Sequence, residues 1–228
     1  MNQAFVNQFI LSFQEKIESL KNEDRAAWSK AYMKNRFNFL GLQAAERRSI
    51  TKTFLQENTI TDLQTVETIV ITLWQLPYRE YQYAAVEILA FYKKQWTKET
   101  ITLIEHCLTT KSWWDSVDHV IIECVGSYFK LFNHQTISIT SKWNKSSNIW
   151  LQRASILFQK SYKKNTDTAI LESYIVYLSG SKEFFVQKAI GWALREYART
   201  NETWVKAFVN NHTLSSLSKR EALKRIAS

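Results

Sequence analysis

Along most of the 228-residue chain, apolar side chains recur at intervals of three and four positions. The stretch "FVNQFILSFQEKI" sets the pattern, and "YQYAAVEILAFYKK", "ITLIEHCL", "VDHVIIECVGSYFKLF", "WLQRASILFQKSY", "AILESYIVYL" and "VQKAIGWALREYA" repeat it. That spacing gathers the apolar groups onto one stripe of a helix. No stretch alternates with the period of two that a half-buried strand requires. Asp62, Asp167 and Asn201 stand just ahead of such stretches. There a side-chain oxygen can accept a hydrogen bond from the unsatisfied amides of the first turn. The pattern predicts an all-α chain.

The helices also fall into register. Arg48, Tyr83, Asp118, Arg153 and Lys188 stand 35 residues apart, and each opens a similar run: "RSI", "YAAV", "DHVI", "RASI", "KAIG". A sixth, degenerate copy is expected near Leu223. A unit of that length holds two helices and two short turns, and no such pair can bury its stripe alone. Residues 1–228 are therefore expected to form a single domain, a curved solenoid of antiparallel helix pairs with HEAT-like repeats. The second helices of successive pairs would line its concave surface. With only 4 Gly and 1 Pro there are few sharp turns, and Pro77 falls between two periodic segments.

Charge changes the picture at one end. Residues 1–141 carry 15 Lys/Arg and 15 Asp/Glu, whereas residues 142–228 carry 15 and 6, so the whole excess of +9 lies in the last third. This makes the concave surface a basic one in expectation and suggests a polyanionic partner. The other reading is a solvated basic face that serves solubility. Cys107 and Cys124 lack paired spacing, which argues against a zinc cluster or disulfide framework and for a reducing compartment. The N-terminus lacks a basic leader, and no apolar run reaches the roughly 18 residues of a membrane span. A cytoplasmic protein with no membrane partner is expected. The chain shows no Gly-rich phosphate loop, no His/Cys ligand cluster and no Ser–His pairing.

One stretch concentrates chemistry. In "KSWWDSVDHV" (111–120) the apolar residues Trp113, Val117 and Val120, continued by Ile121, Cys124 and Tyr128, share a face, which assigns Trp113 to the core. Trp114 is turned away by about 100° and lies one turn from Asp118. One repeat on, the place of Asp118 is taken by Arg153, and after another by Lys188, with Trp192 a turn beyond. Helices pack roughly 8–10 Å apart, so Asp118 and Arg153 can flank one small site walled by Trp114 and Trp192. The same four residues also fit a core with an interhelical Asp118–Arg153 salt bridge. Asp115 is a rival carboxylate, read otherwise as a helix-start charge favoured by the dipole. His119 points elsewhere and is read as structural.

Four stretches resemble the AlkD-like DNA alkylation-repair glycosylases: "YMKNRFNFLGLQAAERR" (32–48), "SWWDSVD" (112–118), "WLQRASI" (150–156) and "KAIGWALREYA" (188–198). They occur in the family's order and span most of the chain. Where relatives often have proline in the first stretch, this chain has Asn38 and Ala45. The resemblance implies HEAT-like repeats, in agreement with the period above. It implies a DNA glycosylase of base excision repair that releases N3- and N7-alkylated purines, such as 3-methyladenine and 7-methylguanine, from double-stranded DNA. It places the family's catalytic residues on Asp118, Trp114, Trp192 and Arg153. On that reading Asp118 stabilises a cationic sugar and orients water, the indoles face the sugar, and Arg153 grips a flanking phosphate. Lys188, Arg195 and Arg199 share a polar face of one helix and are expected to bind further phosphates. Tyr32 and Gln43 line the DNA side or fix the entry to the first repeats. The tail "SKREALKRIAS" touches backbone or caps the last repeat. No cofactor and no metal are expected, and the protein is expected to be a monomer. The alternatives are a non-catalytic HEAT-like protein that binds distorted or branched DNA and a protein scaffold.

Overall fold

A computed structural model describes residues 3–224 and 226, and among them the regular structure is helical throughout. The chain divides into two compact units between Thr100 and Ile101.

The first unit holds α1 (Gln3–Glu18), α2 (Glu23–Tyr32), α3 (Ala44–Glu57), α4 (Leu63–Gln75) and α5 (Arg79–Phe91). The predicted stripe on α1 is buried as Val6, Phe9, Ile10, Phe13 and Ile17. Phe9 and Phe13 meet Phe54 of α3 edge-on, with ring centroids 4.9 and 5.2 Å apart. Helix α4 buries Val66, Ile69, Val70, Leu73 and Trp74 against α5 and α1. The segment 37–42 is fixed by charge. Glu80 accepts the backbone N–H groups of Leu40 (2.9 Å), Gly41 (2.8 Å) and Leu42 (3.3 Å). Gly41 has φ +87°, and a Cβ there would strike the Asn22 carbonyl, so the turn requires glycine.

The second unit holds α6 (Thr100–Thr109), α7 (Trp114–Val120), a π turn (Ile121–Val125) leading into α8 (Gly126–Leu131), α9 (Thr136–Asn144), α10 (Ile149–Leu157), α11 (Thr168–Leu178), α12 (Phe184–Ala198), α13 (Glu202–Asn211) and α14 (Ser216–Leu223). The 35-residue register becomes contact here. Helix α10 packs between α7 and α12, and α12 against α14, so the second helices of consecutive pairs are neighbours. The first helices form their own row, in which Trp143 of α9 donates from Nε1 to Glu105 of α6 at 2.6 Å. Asp62, Asp167 and Asn201 cap their helices as their positions predict, accepting from Thr65, Ile170 and Trp204 at 2.9–3.0 Å.

Two expectations shift. Trp113 is not core: its backbone is extended (φ −154°) as the residue that opens α7. Its half-buried ring meets Phe185 (5.1 Å) and Trp150 (5.9 Å) edge-on. And Leu223 does not open a sixth copy, because α14 ends there.

Candidate active site

Of the candidate residues in the second unit, α7, α10 and α12 bring Asp118, Arg153 and Trp192 together, and Trp114 stands one turn before Asp118 on α7. Asp118 sits on α7, one turn after Trp114, and both are half-buried. Arg153 comes from the middle of α10 and is only 4% exposed. Its guanidinium takes both Asp118 oxygens: Nε donates to Oδ1 at 2.7 Å and Nη2 to Oδ2 at 2.8 Å. Nη1 donates to the Phe185 carbonyl in the first turn of α12 at 2.7 Å. One side chain thus ties three consecutive second helices, and all three of its nitrogens are engaged. A planar fork matched to a carboxylate is the strong form of an ion pair.

Trp192 of α12 closes the group. Its ring lies 5.6 Å from the Arg153 guanidinium carbon and 4.4 Å from the Lys160 ammonium. The sequence reading missed Lys160. It lies seven residues after Arg153 but three beyond the end of α10, in the turn that follows, so helical spacing did not mark it. Burial pushes the Asp118 carboxyl above the ordinary aspartate value, opposed by Arg153 and Lys160 and assisted by the charge of Asp115. The carboxylate side chain keeps 15% of its surface open to solvent. Three residues after Asp118 the helix widens into the π turn, a distortion often found at functional sites.

The expected phosphate ligands on α12 have partners within the protein. Lys188 and Arg195 hold Glu221 of α14 at 3.0 and 2.6 Å, and together they pull its carboxyl down to about 2. Arg199 pairs with Glu196 at 2.9 Å and is more exposed. The tail through Leu223 is helix α14, docked on α12. At Gly191 a Cβ would collide with the Cβ of Glu221, so glycine beside Trp192 is what permits the close approach. Arg225 of the basic tail lies outside the described residues.

Tyr32 and Gln43 belong to the first unit. Tyr32 is 54% exposed and stacks on Trp28, itself 67% exposed, with ring centroids 5.2 Å apart and planes 6° from parallel. Gln43 is the exposed residue that opens α3, its N–H donating to Glu46 at 2.8 Å. Among the described residues no group of three His, Cys, Asp or Glu side chains could hold a metal. Both cysteines are buried, and neither forms a disulfide. No described helix is long and apolar enough to cross a membrane.

No curated protein matches the chain. A solved structure named a predicted DNA alkylation repair enzyme from Enterococcus faecalis shares 33% identity over 91% of this chain and 97% of its own, with a TM-score of 0.86. AlkD2 from Streptococcus mutans shares 18% identity over 82% of this chain and 92% of its own (TM-score 0.64). The protein smu.31 from Streptococcus mutans UA159 shares 18% over 80% and 92% (TM-score 0.63), and these two likenesses speak for the fold alone. The profile of the DNA alkylation repair enzymes matches residues 13–226, nearly the whole sequence. The chain belongs to the DNA alkylation repair enzyme family.

Proposed function

We propose that this protein is a DNA glycosylase that hydrolyses the bond between deoxyribose and a purine alkylated at N3 or N7 in duplex DNA. The observation that carries the reading is the clamp on Asp118. A buried guanidinium holds both carboxylate oxygens and aims them. The carboxylate keeps an opening to solvent, with Trp114 one turn before it and the Trp192 ring against its Arg153 partner.

The chemistry follows from the substrate. An alkylated purine of this kind is a cation, so when its C1′–N9 bond breaks the electron pair returns to the ring and the base departs neutral. The protonating acid of an ordinary glycosidase is not required. The sugar becomes cationic as the bond lengthens, and Asp118 stabilises that charge. A water oxygen then bonds to C1′, and its proton passes to Asp118 and on to solvent. Trp114 and Trp192 offer electron-rich faces to the cation, each contact worth about 0.5–2 kcal/mol. Arg153 is a positioning residue here, because its nitrogens already serve Asp118 and Phe185.

The test is release of 7-methylguanine and 3-methyladenine from methylated duplex DNA. Asp118→Asn should lower the rate by about 10²–10³, the usual cost of losing one preorganised electrostatic group. Release at the normal rate by that variant removes Asp118 from the mechanism. The second reading is a DNA-binding protein without catalysis. It is favoured by the bidentate pairing of Asp118 with Arg153, which would serve as structure alone, and it predicts no release by the unaltered protein.

A further inference from the structure

Each Arg153 nitrogen already donates within the protein, and Lys188 and Arg195 are held by Glu221. Yet a duplex-binding site needs cations near the reacting nucleotide. Lys160 answers that need, and it stands at the edge of a cleft of about 430 Å³ between the end of α10 and α12. Ile156, Leu171 and Ala193 give the cleft apolar surface, and Lys160, Lys163 and Arg199 are its cations. Glu196, the one carboxylate that lines it, is taken by Arg199, which leaves the cleft with two positive charges in excess. Neither Lys160 nor Lys163 forms a close salt bridge among the described residues, and the charge of Lys160 is felt at Asp118 from a distance.

We propose that this cleft is a sugar–phosphate subsite, in which Lys160 and Lys163 bind a backbone phosphodiester of the strand whose neighbouring nucleotide meets Trp192. The inference rests on the glycosylase reading for which nucleotide that is, and on the cleft alone for the ligand class. Apolar walls suit deoxyribose carbons, and two ammonium groups suit a phosphodiester. Lys160 belongs to both places. In the free protein its ammonium rests on the Trp192 ring at 4.4 Å, where a cation is attracted to the indole. A phosphate in the cleft draws that ammonium off the ring and leaves the indole available to the sugar cation. Backbone binding and readiness of the centre are thereby coupled through one lysine. Lys163 is held in the left-handed region at φ 54°, a conformation uncommon for a residue with a side chain.

The experiment is binding of unmodified duplex DNA across a range of salt. Lys160→Gln and Lys163→Asn are compared with the unaltered protein, asparagine being chosen because it tolerates a left-handed backbone. The control is Lys206→Gln on α13, whose lysine pairs with Glu202. Each cleft variant should flatten the slope of log K against log salt by about 0.9, the loss of one phosphate contact. Lys160→Arg should restore the slope, and the control should leave it unchanged. Slopes equal to the unaltered protein's in both cleft variants, with melting temperatures intact, overturn the subsite, as does failure of the unaltered protein to bind duplex DNA. Base release is scored separately. Flattened slopes without any release sustain the subsite and sink the glycosylase, and release with unchanged slopes does the reverse.

Discussion

Each unit contains a buried arginine that reaches a carboxylate on a neighbouring second helix, forward along the chain in the first unit and backward in the second. In the first, Arg47 of α3 meets Glu87 of α5, and their side chains keep 6% and 11% of their surface. In the second, Arg153 and Asp118 keep 5% and 15%. Burial does not separate the two pairs. Geometry does: Arg47 places Nε (3.2 Å) and Nη2 (2.7 Å) on the same Glu87 oxygen, where Arg153 divides its fork between two. The surroundings differ more. Arg47 lies 4.7 Å from the Tyr83 ring, and Arg48 adds a second cation to Glu87 at 3.4 Å. Asp118 has Trp114 one turn before it, and its Arg153 partner lies against the Trp192 ring, on which the Lys160 ammonium also rests. An interhelical ion pair is a device that this repeat uses for stability. It becomes a candidate centre only where aromatic faces and uncommitted cations share its opening.

Neutralising each acid in turn gives the largest contrast. Asp118→Asn and Glu87→Gln both leave a buried guanidinium without its counter-charge, and each should cost on the order of 3 kcal/mol of stability. Only Asp118→Asn should suppress base release. Equal loss of release at a temperature where both variants are folded would mean that the difference between the two pairs carries no function.

Much of this arrangement was legible in the residues. The spacing of Asp118 and Arg153 survives as a bidentate contact because second helices one repeat apart are neighbours, and Asp62, Asp167 and Asn201 cap helices because capping is local chemistry. What was hidden depends on distant or subtle structure. Trp113 reads as core by phase, but it precedes the helix and escapes that phase. The π turn at Ile121–Val125 leaves no mark, since those side chains suit an α-helix equally well. Lys188 and Arg195 read as free because their partner, Glu221, arrives on a helix about thirty residues later. The charge of the last third is real, but a count of residues does not reveal which cations are already neutralised.

Conservative change of the arginines sharpens the comparison at a smaller scale. Arg153→Lys keeps the charge and loses the fork and the bond to Phe185, for a cost of about 2–3 kcal/mol. Arg47→Lys gives up less, about 1–2 kcal/mol, because Arg47 reaches one oxygen. Melting temperatures of the two variants measure the difference, and a larger drop for Arg47→Lys would contradict the geometry. Release by Arg153→Lys should also fall, since the carboxylate loses its aim. The pH dependence of release tests the same clamp. Asp118 works ionised and burial raises its pKa, so the acid limb should lie above 3.8, the ordinary aspartate value.

The smallest effect concerns a third carboxylate, and it separates an acid that serves structure from one that serves chemistry. Glu221 is pulled from 4.5 to about 2 by the hydrogen bonds of Lys188 and Arg195. A carboxyl whose pKa is lower folded than unfolded contributes stability that is complete above the unfolded value and disappears as pH falls through the folded one. That contribution should therefore be intact above pH 4.5 and fade between 4.5 and about 2. Urea unfolding at pH 6 and pH 3 reads it directly: Glu221→Gln should be less stable than the parent at pH 6, with the gap narrowing at pH 3. Base release near neutral pH should change little, because Glu221 faces α14's seat on α12 and not Asp118. A gap that is constant with pH would mean that Glu221 holds α14 by packing against Gly191 rather than by its charge.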